Sequence, residues 1–537
     1  MLPDIRDYDK LRRAFAWRIP ERFNIGVAVC DVWAARDADK TAIIEASDDR
    51  LIPVSYGVLR ERSNRLANVL RGRGVGVGDR VAILLPQMSD VAVAHIAIYK
   101  LGAIAVPLAA LFGVDAIEYR LKDAGVKALL TNEAGLAKLR QVVERPATLE
   151  TVLSTDGDDG DAMGLSKAMA AADAAFEPVD SGPDDPAVMV YTSGTTGSPK
   201  GALHAHRVLL GHLPGMQFTH EFLPQPGDRL WTASDWAWAG GLFNVLLPGL
   251  YFGVPVVARK FERFNAEAAF ELMARAEVRN ALIPPTALRM LRAVAEPRKR
   301  FALNLRTVCS AGESLGAEVY DWGRQELGMT INEFYGQTEC NYVLGSCAGI
   351  GISRGGAIGV PIPGHKVAIV REDGSECAPG EQGQIAMLRP DPVMFLGYWN
   401  NPEATRNKFV GDWMMTGDQG TADQDGYFHF IGRDDDVISS AGYRIGPGEI
   451  EDCLLRHPAV ANAAAIGKPD ALRGEIVKVF VVLRDGFSAS DALAGDIQGF
   501  VRTRLSAHEY PREIAFETEL PMTTTGKIIR RLLRDRS

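Results

Sequence analysis

The residues best suited to chemistry lie in the segment Tyr191-Thr-Ser-Gly-Thr-Thr-Gly-Ser-Pro-Lys-Gly201, which is rich in glycine and hydroxyl groups and ends beside a lysine. It follows Ala187–Val190, an apolar run typical of a buried strand. Its glycines allow a tight turn that brings backbone N–H groups against an anion, and Lys200 adds a positive charge. Pro199 before the lysine argues against a Walker A loop. A flexible linker is the alternative, but linkers join domains rather than follow core strands. The segment therefore predicts a phosphate-binding loop.

A second segment, Asn332-Glu-Phe-Tyr-Gly-Gln-Thr-Glu339, combines side chains suited to a nucleotide. Tyr335 offers an aromatic face to a purine, and Thr338 offers a hydroxyl to a phosphate. Glu339 is a hard oxygen ligand of the kind that Mg²⁺ binds. Taken alone, Glu339 is better explained as a surface residue, so its assignment depends on the wider pattern.

That wider pattern resembles the acyl-adenylate-forming (AMP-binding) enzyme superfamily, which includes acyl-CoA synthetases, luciferases and peptide-synthetase adenylation domains. The resemblance covers most of the chain, from Asn24 to Arg531, and the segments Asp470–Glu475 and His508–Arg512 are most similar to the medium-chain acyl-CoA synthetase branch. It implies a ligase that turns a carboxylic acid and ATP into acyl-AMP and pyrophosphate, and then into a thioester of CoA. The matching segments are Tyr191–Gly201, Ala311-Gly-Glu-Ser314, Asn332–Glu339, Thr416-Gly-Asp418 and Pro521-Met-Thr-Thr-Thr-Gly-Lys527.

The resemblance also implies a nucleotide site. Asp418 would accept hydrogen bonds from the ribose hydroxyls with Arg433 beside it, and Glu339 and Thr195 would bind Mg²⁺. The residues implied to bind ATP or AMP are Thr192, Ser193, Gly194, Thr195, Thr196, Gly197, Lys200, Gly312, Glu313, Ser314, Glu333, Tyr335, Gly336, Thr338, Asp418, Arg433 and Lys527.

Three residues are implied to be catalytic: Lys527, Lys200 and Thr338. Attack of a carboxylate on a phosphate brings two anions together, and a fixed cation such as Lys527 offsets the developing charge. Lys527 would obstruct the second step, so the resemblance implies that a small C-terminal domain rotates about one hinge residue, Asp435. The rotated domain would then bring CoA-binding residues to the site, namely Gly442, Tyr443 and Arg444.

Two residues bear on the acid. Trp238, in Ser234–Gly241, lies where the family lines its acyl pocket. Acetate-specific relatives carry a tryptophan at the position of Gly336, which closes the acyl tunnel. The glycine therefore implies an acid larger than acetate, such as a medium-chain, branched or aryl acid, and a role in fatty acid metabolism. An apolar pocket discriminates one methylene by only ~1–3 kcal/mol, so the sequence does not choose among these acids.

Short β-rich runs alternate with helical patterns along the chain. The predicted strands and helices must position the site residues named above. Val81–Leu85 and Ala128–Thr131 predict strands, Ser89–Leu101 predicts a helix, and Ser154–Pro183 predicts an exposed connection. A single core stops growing at about 250–300 residues, so 537 residues predict at least two domains. We expect an α/β fold with a large N-terminal domain of stacked mixed and parallel sheets, residues 1–433, and a small mobile C-terminal α+β domain, residues 434–537.

The composition of the chain argues against several kinds of binding partner and location. A net charge of −9 argues against nucleic acid. The longest apolar stretch, Leu242–Ala258, contains Pro248 and Gly249 and predicts buried core rather than a membrane span. The N-terminus lacks the apolar core of a signal peptide, and six scattered cysteines are typical of reduced thiols, so we expect a cytoplasmic protein. Homo-oligomerisation is left open.

Two alternatives remain at this point. In one, adenylation is kept but the acceptor is a carrier protein or another group instead of CoA. In the other, the chain binds a nucleotide without turnover. The presence of Lys527, Glu339 and Lys200 together favours an enzyme.

Overall fold

Parallel β-sheets form the frame of the long N-terminal part, as the alternating pattern predicts. Within the described residues of this computed structural model, the strands form four sheets, of which the two largest are mainly parallel. The predicted α/β fold is therefore confirmed. The structure describes residues 1–192, 199–434, 436–440, 443–470, 473–505, 510–523 and 527–537.

The first large sheet supplies the strand that carries the first residues of the predicted nucleotide segment. Its inner strands are short, continuous apolar runs, as expected for strands that are buried on both faces. Ile331–Tyr335 lies beside Thr307–Ser310 in parallel, so the segments that follow both strands emerge at the same edge of the sheet. The strands in spatial order are Val360–Pro361, Leu344–Gly345, Ile331–Tyr335, Thr307–Ser310, Asn280–Leu282, Leu230–Thr232, Val256–Ala258, Thr41–Ala46 and Leu51–Ser55.

The second large sheet supplies the predicted phosphate loop. Strand Pro186–Thr192 pairs antiparallel with Lys200–Ala205, and Thr192 lies opposite Lys200. The two residues that flank the loop are therefore held together, while Ser193–Ser198 lie outside the described residues. The strands in spatial order are Gly397–Tyr398, Lys200–Ala205, Pro186–Thr192, Ile104–Pro107, Arg80–Leu84, Ala128–Thr131, Thr151–Ser154 and Met163–Gly164.

A third, antiparallel sheet carries the residues of the predicted ribose site. Asp418 and Arg433 are direct partners in adjacent strands. The strands are Val367–Val370, Gly383–Leu388, Trp413–Ala422, Phe409–Val410 and Phe428–Arg433.

The C-terminal part has a sheet and an apolar core of its own. Ile438, Ile450, Val479 and Ile497 belong to one buried cluster whose members all follow residue 437. This separate core is what an independent small domain requires. The strands are Tyr443–Ile445, Ile438–Ser440, Gly474–Leu483 and Val460–Asp470, with Glu513–Glu517 parallel to Gly474–Leu483.

Helix Ser89–Lys100 is buried almost all round and belongs to a core that includes strands of both large sheets. Its last residue, Lys100, is fully buried, and its Nζ lies 2.5 Å from Asp31 Oδ1 and 2.9 Å from Asn64 Oδ1. Pairing of this kind is what a buried ammonium requires. The two sheets that carry the site are thus held by one shared core.

The helices cover the sheets, and among the described residues none is both long and apolar enough to cross a bilayer. The prediction that Ser154–Pro183 is only an exposed connection is wrong in part, since a helix there buries Leu165 and Met169. The α-helices are Tyr8–Ala14, Val32–Arg36, Tyr56–Gly72, Ser89–Lys100, Val114–Ala124, Glu133–Leu139, Leu165–Ala170, Val208–Thr219, Ala239–Gly241, Leu247–Phe252, Ala266–Arg275, Pro285–Leu291, Pro297–Arg300, Ala317–Trp322, Pro402–Arg406, Pro447–Leu455, Asp491–Arg504 and Arg530–Arg534; π-helical turns lie at Val27–Asp31, Leu242–Leu246 and Gly323–Leu327, and a 3₁₀ turn at Ala348–Ile350.

Candidate active site

The hairpin that carries Lys200 is fixed from outside by two tyrosines. Tyr191 donates from its hydroxyl to Asp123 Oδ2 at 2.7 Å, and Tyr119 donates to the carbonyl of Pro199 at 2.9 Å. The Lys200 ammonium lies 5.2 Å from the centre of the Tyr398 ring. A cation at the face of an aromatic ring is stabilised by the ring quadrupole, so the Tyr398 ring helps to hold the Lys200 ammonium beside the strand pair.

Glu339 contacts the hydroxyl of the same tyrosine. Its carboxylate is buried, and Tyr398 donates a short hydrogen bond to its Oε1. Tyr398 is held in place because it pairs with Ala202, two residues after Lys200. Tyr398 therefore links the predicted metal ligand to the predicted catalytic lysine.

The donors fit a magnesium ion that is bound mainly through a nucleotide. Mg²⁺ usually takes one or two carboxylates together with substrate phosphates, and Glu339 supplies one carboxylate near the phosphate hairpin. No cluster of three His, Cys, Asp or Glu side chains suited to a metal occurs in the part of the chain that the structure describes. Thr195, the other predicted ligand, lies outside the described residues.

Asp418 is a buried carboxylate of the site with one oxygen held by two hydrogen bonds. Its Oδ2 accepts from Tyr335 Oη at 2.5 Å and from Gln337 Nε2 at 2.6 Å, and its backbone N–H donates to Thr416 Oγ1 at 3.1 Å. Its Oδ1 lies 3.5 Å from Arg433 Nη1. That oxygen is buried and accepts no hydrogen bond within the described ranges, so it is available to a ligand hydroxyl.

The segment 312–315 follows strand Thr307–Ser310, and two neighbours fix it. Glu313 accepts from Thr286 Oγ1 at 3.0 Å and from Arg289 Nη2 at 2.7 Å, while Gly312 and Ser314 are exposed. Both exposed residues therefore remain open to a ligand.

Glu333 lies behind this segment rather than on its surface. Its Oε1 accepts from the backbone N–H of Leu315 at 3.1 Å, and burial raises its pKa to about 8, with Asp452 adding to the rise. A buried carboxyl that is neutral at pH 7 and holds a backbone amide positions the loop without touching solvent.

Lys527 reaches this site from the C-terminal part of the chain. The residue is exposed, yet desolvation by the surrounding protein lowers its pKa, while the Glu313 and Asp418 carboxylates oppose that shift and Arg433 adds to it. The lysine therefore lies within electrostatic reach of both the predicted adenine segment and the predicted ribose carboxylate.

The two predicted acyl residues differ in their surroundings. Trp238 is half-buried and packs edge-to-face on Phe112 at 5.5 Å between ring centres. At Gly336, an added Cβ would lie 2.4 Å from the backbone N of Tyr342 and 2.6 Å from Asn341 Cα. The close approach of two backbone segments thus gives a steric reason for this glycine, whatever the size of the acyl pocket.

Several predicted residues are not part of this geometry. Thr338 is half-buried in the turn after Ile331–Tyr335, and Tyr443 and Arg444 belong to strand Tyr443–Ile445. Ser193, Gly194, Thr195, Thr196, Gly197, Asp435 and Gly442 lie outside the described residues.

Gln337 and Tyr398 were not predicted from the sequence. Gln337 also donates to the carbonyl of Thr416 at 2.9 Å, so it ties the nucleotide segment to the ribose strand. Its place between Gly336 and Thr338 in the nucleotide motif was the available signal. Tyr398 lies 59 residues from Glu339 and carried no such signal.

Known proteins resemble the whole chain. A family model described as AMP-binding enzyme matches residues 30–399, and one described as AMP-binding enzyme C-terminal domain matches residues 449–527. Acetyl-coenzyme A synthetase of Bacillus subtilis (strain 168) is 34% identical, covering 99% of this chain and 95% of that protein. The mitochondrial acyl-coenzyme A synthetase ACSM3 of Mus musculus is 32% identical, covering 98% and 93%. A crystal structure of the anthranilate CoA ligase AuaEII with anthranoyl-AMP has a TM-score of 0.89 at 28% identity, covering 96% of this chain and 98% of that one.

The chain therefore belongs to the AMP-binding enzyme family. Within it, the chain is an AMP-forming acyl-CoA synthetase, an acid–thiol ligase that uses ATP, Mg²⁺ and CoA. The predicted family and enzyme class are confirmed, whereas the roles of individual residues stay predictions.

The Tyr398–Glu339 bond generates a first prediction. Tyr398→Phe removes the hydroxyl that orients Glu339 and keeps the ring beside Lys200. Loss of such an outer partner typically costs about 10–100-fold in metal affinity or activity. We expect the Mg²⁺ concentration for half-maximal pyrophosphate exchange to rise about 10-fold. Tyr8→Phe, which removes a hydroxyl bonded to the Pro361 carbonyl, is the matched control. An unchanged Mg²⁺ requirement in Tyr398→Phe would contradict the assignment.

The buried Glu333 generates a second prediction. Its pKa is about 8 in the folded protein against 4.5 for the free side chain, so the folded protein retains a proton that the unfolded chain releases. The free energy of unfolding should therefore fall by up to about 1.4 kcal/mol per pH unit between these values. Glu333→Gln should remove this slope, so its melting temperature should fall less than that of the parent between pH 6 and 8.

A matched control for the melting experiment is Glu118→Gln. Lys122 lowers the pKa of Glu118, so this carboxylate is ionised in both states above pH 6 and adds no slope there. If Glu333→Gln and the parent lose stability equally between pH 6 and 8, Glu333 is not protonated in the folded protein.

Proposed function

We propose that this acyl-CoA synthetase activates a medium-chain, branched or aryl acid, larger than acetate, through an acyl-adenylate and then passes the acyl group to CoA. The observation that carries the adenylate step is the position of Lys527, close enough to Glu313 and Asp418 to be affected by their charges. A cation from the C-terminal part thus shares one site with predicted nucleotide ligands from the N-terminal part.

In the first half-reaction, an oxygen of the acid attacks the α-phosphorus of ATP and pyrophosphate leaves. Asp418 Oδ1 accepts from a ribose hydroxyl, and Tyr335 and Gln337 hold that carboxylate in place. Lys200 and Lys527 offset the negative charge that gathers on the phosphorus oxygens. Mg²⁺ held by Glu339 and the nucleotide would neutralise further phosphate charge.

In the second half-reaction, the CoA sulfur attacks the acyl carbon and AMP leaves. Lys527 then has to withdraw, and we assign residues 434–537 to a mobile domain that rotates about Asp435 and brings Gly442, Tyr443 and Arg444 to the site. Residues 1–433 form the stationary domain. The separate apolar core of the C-terminal part supports this division, because a domain needs its own core to move as one body.

Trp238, the relatives and Gly336 each bear on the proposed size of the acid. The half-buried Trp238 supports a pocket with an aromatic wall. The names of the relatives include both acetate and anthranilate, so similarity alone does not set the size. The steric constraint at Gly336 means that this glycine supports a wide tunnel less strongly than its sequence match implies.

The third prediction tests the two half-reactions. Purified protein is offered ATP with a panel of acetate, medium-chain, branched and aryl acids, and pyrophosphate exchange and CoA-dependent AMP release are measured. We expect an acid larger than acetate to give the highest kcat/KM. Lys527→Ala should slow exchange about 10²-fold or more, while thioester formation from supplied acyl-adenylate continues.

The matched control is Arg531→Ala, which removes an exposed cation four residues further on. Exchange in Lys527→Ala at the parent rate would refute the role of the lysine, and highest activity on acetate would refute the acid class. Exchange without any response to CoA would point to a carrier-protein acceptor instead.

A further inference from the structure

Residues 521–523 and 527–529 are joined by hydrogen bonds, and we call these two stretches the Lys527 hairpin. The backbone N–H of Thr523 donates to the Lys527 carbonyl at 2.7 Å, and the Lys527 N–H donates to Thr523 Oγ1 at 3.0 Å. One step further out, the N–H of Ile529 donates to the Pro521 carbonyl at 2.8 Å. These bonds fix Lys527 within its hairpin, but they do not fix the hairpin relative to the rest of the C-terminal part.

Arg530, three residues after Lys527, makes that second connection. Its Nη2 lies 2.7 Å from each carboxylate oxygen of Glu451, its Nη1 lies 3.4 Å from Asp436 Oδ2, and its Nε donates to the Ala465 carbonyl at 3.3 Å. The three charged side chains are only 18%, 14% and 12% exposed for Arg530, Glu451 and Asp436. A planar guanidinium can serve several acceptors in fixed directions, which a lysine cannot.

The two carboxylate partners of Arg530 lie beside the predicted hinge and on a helix of the C-terminal part. Asp436 directly follows the predicted hinge residue Asp435, and Glu451 lies on helix Pro447–Leu455. Arg534 binds the second oxygen of Asp436 at 2.5 Å. The chain next to the hinge and the start of helix Arg530–Arg534 are therefore joined by charged, mostly buried contacts, although 94 residues separate Asp436 from Arg530.

We propose that Arg530 is a positioning residue for adenylation: by binding Glu451 and Asp436, it holds the Lys527 hairpin to the hinge side of the C-terminal domain. This inference rests on the proposed function. Rotation at the hinge then carries Lys527 as part of one rigid unit, and the lysine arrives at the phosphate within a narrow range of positions. Misplacement of a catalytic group by about 1 Å can cost 10²-fold in rate.

Loss of the Arg530 contacts should affect the two half-reactions differently. Lys527 serves only the first one, so loosening its hairpin should slow adenylation and spare thioester formation. A residue that merely stabilises the C-terminal domain would affect both, because the same domain supplies the predicted CoA residues. The ratio of the two rates therefore separates positioning from general stability.

The experiment compares full-length Arg530→Met with Arg534→Met. The control variant removes an arginine from the same carboxylate, Asp436, but leaves the Arg530–Glu451 pair intact. Pyrophosphate exchange reports the first half-reaction, and thioester formation from chemically made acyl-adenylate and CoA reports the second. We expect Arg530→Met to slow exchange about 10–100-fold with less than about a twofold effect on the second rate, and Arg534→Met to change the ratio little.

Arg530→Met leaves the buried Glu451 carboxylate without its main partner and takes one of two cations from Asp436, which can unfold the domain. The double variant Arg530→Met/Glu451→Gln removes the carboxylate that loses its cation, while Asp436 keeps Arg534. The glutamine keeps an acceptor for the Ala465 N–H, which Glu451 binds at 2.8 Å. We expect this variant to melt close to the parent temperature and to show the same selective loss. Arg530→Lys should lie between the parent and Arg530→Met.

An equal fall of both rates in the double variant, or no fall in exchange, would overturn the proposal. Its failure is distinct from failure of the proposed function. If the proposed function is wrong, the parent protein shows no pyrophosphate exchange with any acid. If only the Arg530 proposal is wrong, the parent protein exchanges normally and the selective effect of the Arg530 variants is missing.

Discussion

The site depends on one buried carboxylate, that of Asp418. A carboxylate out of water is costly unless hydrogen bonds and a nearby cation compensate for the lost hydration. Tyr335 and Gln337 supply the hydrogen bonds from the large parallel sheet, and Arg433 supplies charge from the neighbouring strand. Because these donors come from different sheets, satisfying Asp418 also fixes how the sheets meet, and the buried Oδ1 keeps its capacity to accept a hydrogen bond.

Charge explains why the active site draws on distant parts of the chain. A triphosphate and a carboxylate repel each other, so cations must be present where they meet, yet a permanent cluster of cations would be unstable without ligand. Lys200 is fixed on a hairpin beside the Tyr398 ring, whereas Lys527 sits among the carboxylates of Glu313 and Asp418. One cation on a paired strand of the N-terminal part and one supplied by the C-terminal part reconcile these two demands, as the proposed domain rotation requires.

The local sequence pattern predicted the strands and helices of the sheets well. The features that it missed depend on contacts between distant parts of the chain. Strand Ala128–Thr131 agrees with prediction to the residue, and helix Ser89–Lys100 ends one residue early, because both are continuous apolar runs with clear ends. The helix at Leu165–Ala170 was missed, since its flanks are rich in Asp and Gly. Tyr398 was missed for a different reason: a hydroxyl that orients a carboxylate 59 residues away leaves no local pattern.

Two physical reasons can explain why position 336 is a glycine. Its position in the motif links it to the acyl tunnel, but the backbone of Asn341 and Tyr342 already leaves no room for a Cβ. A larger residue there would have to move that backbone, and Tyr342 is buried with its ring packed on Phe334. Changing the acid through this position therefore requires repacking of the core. The other predicted acyl residue, Trp238, is half-buried, so a change of its side chain disturbs less of the core than a change at Gly336.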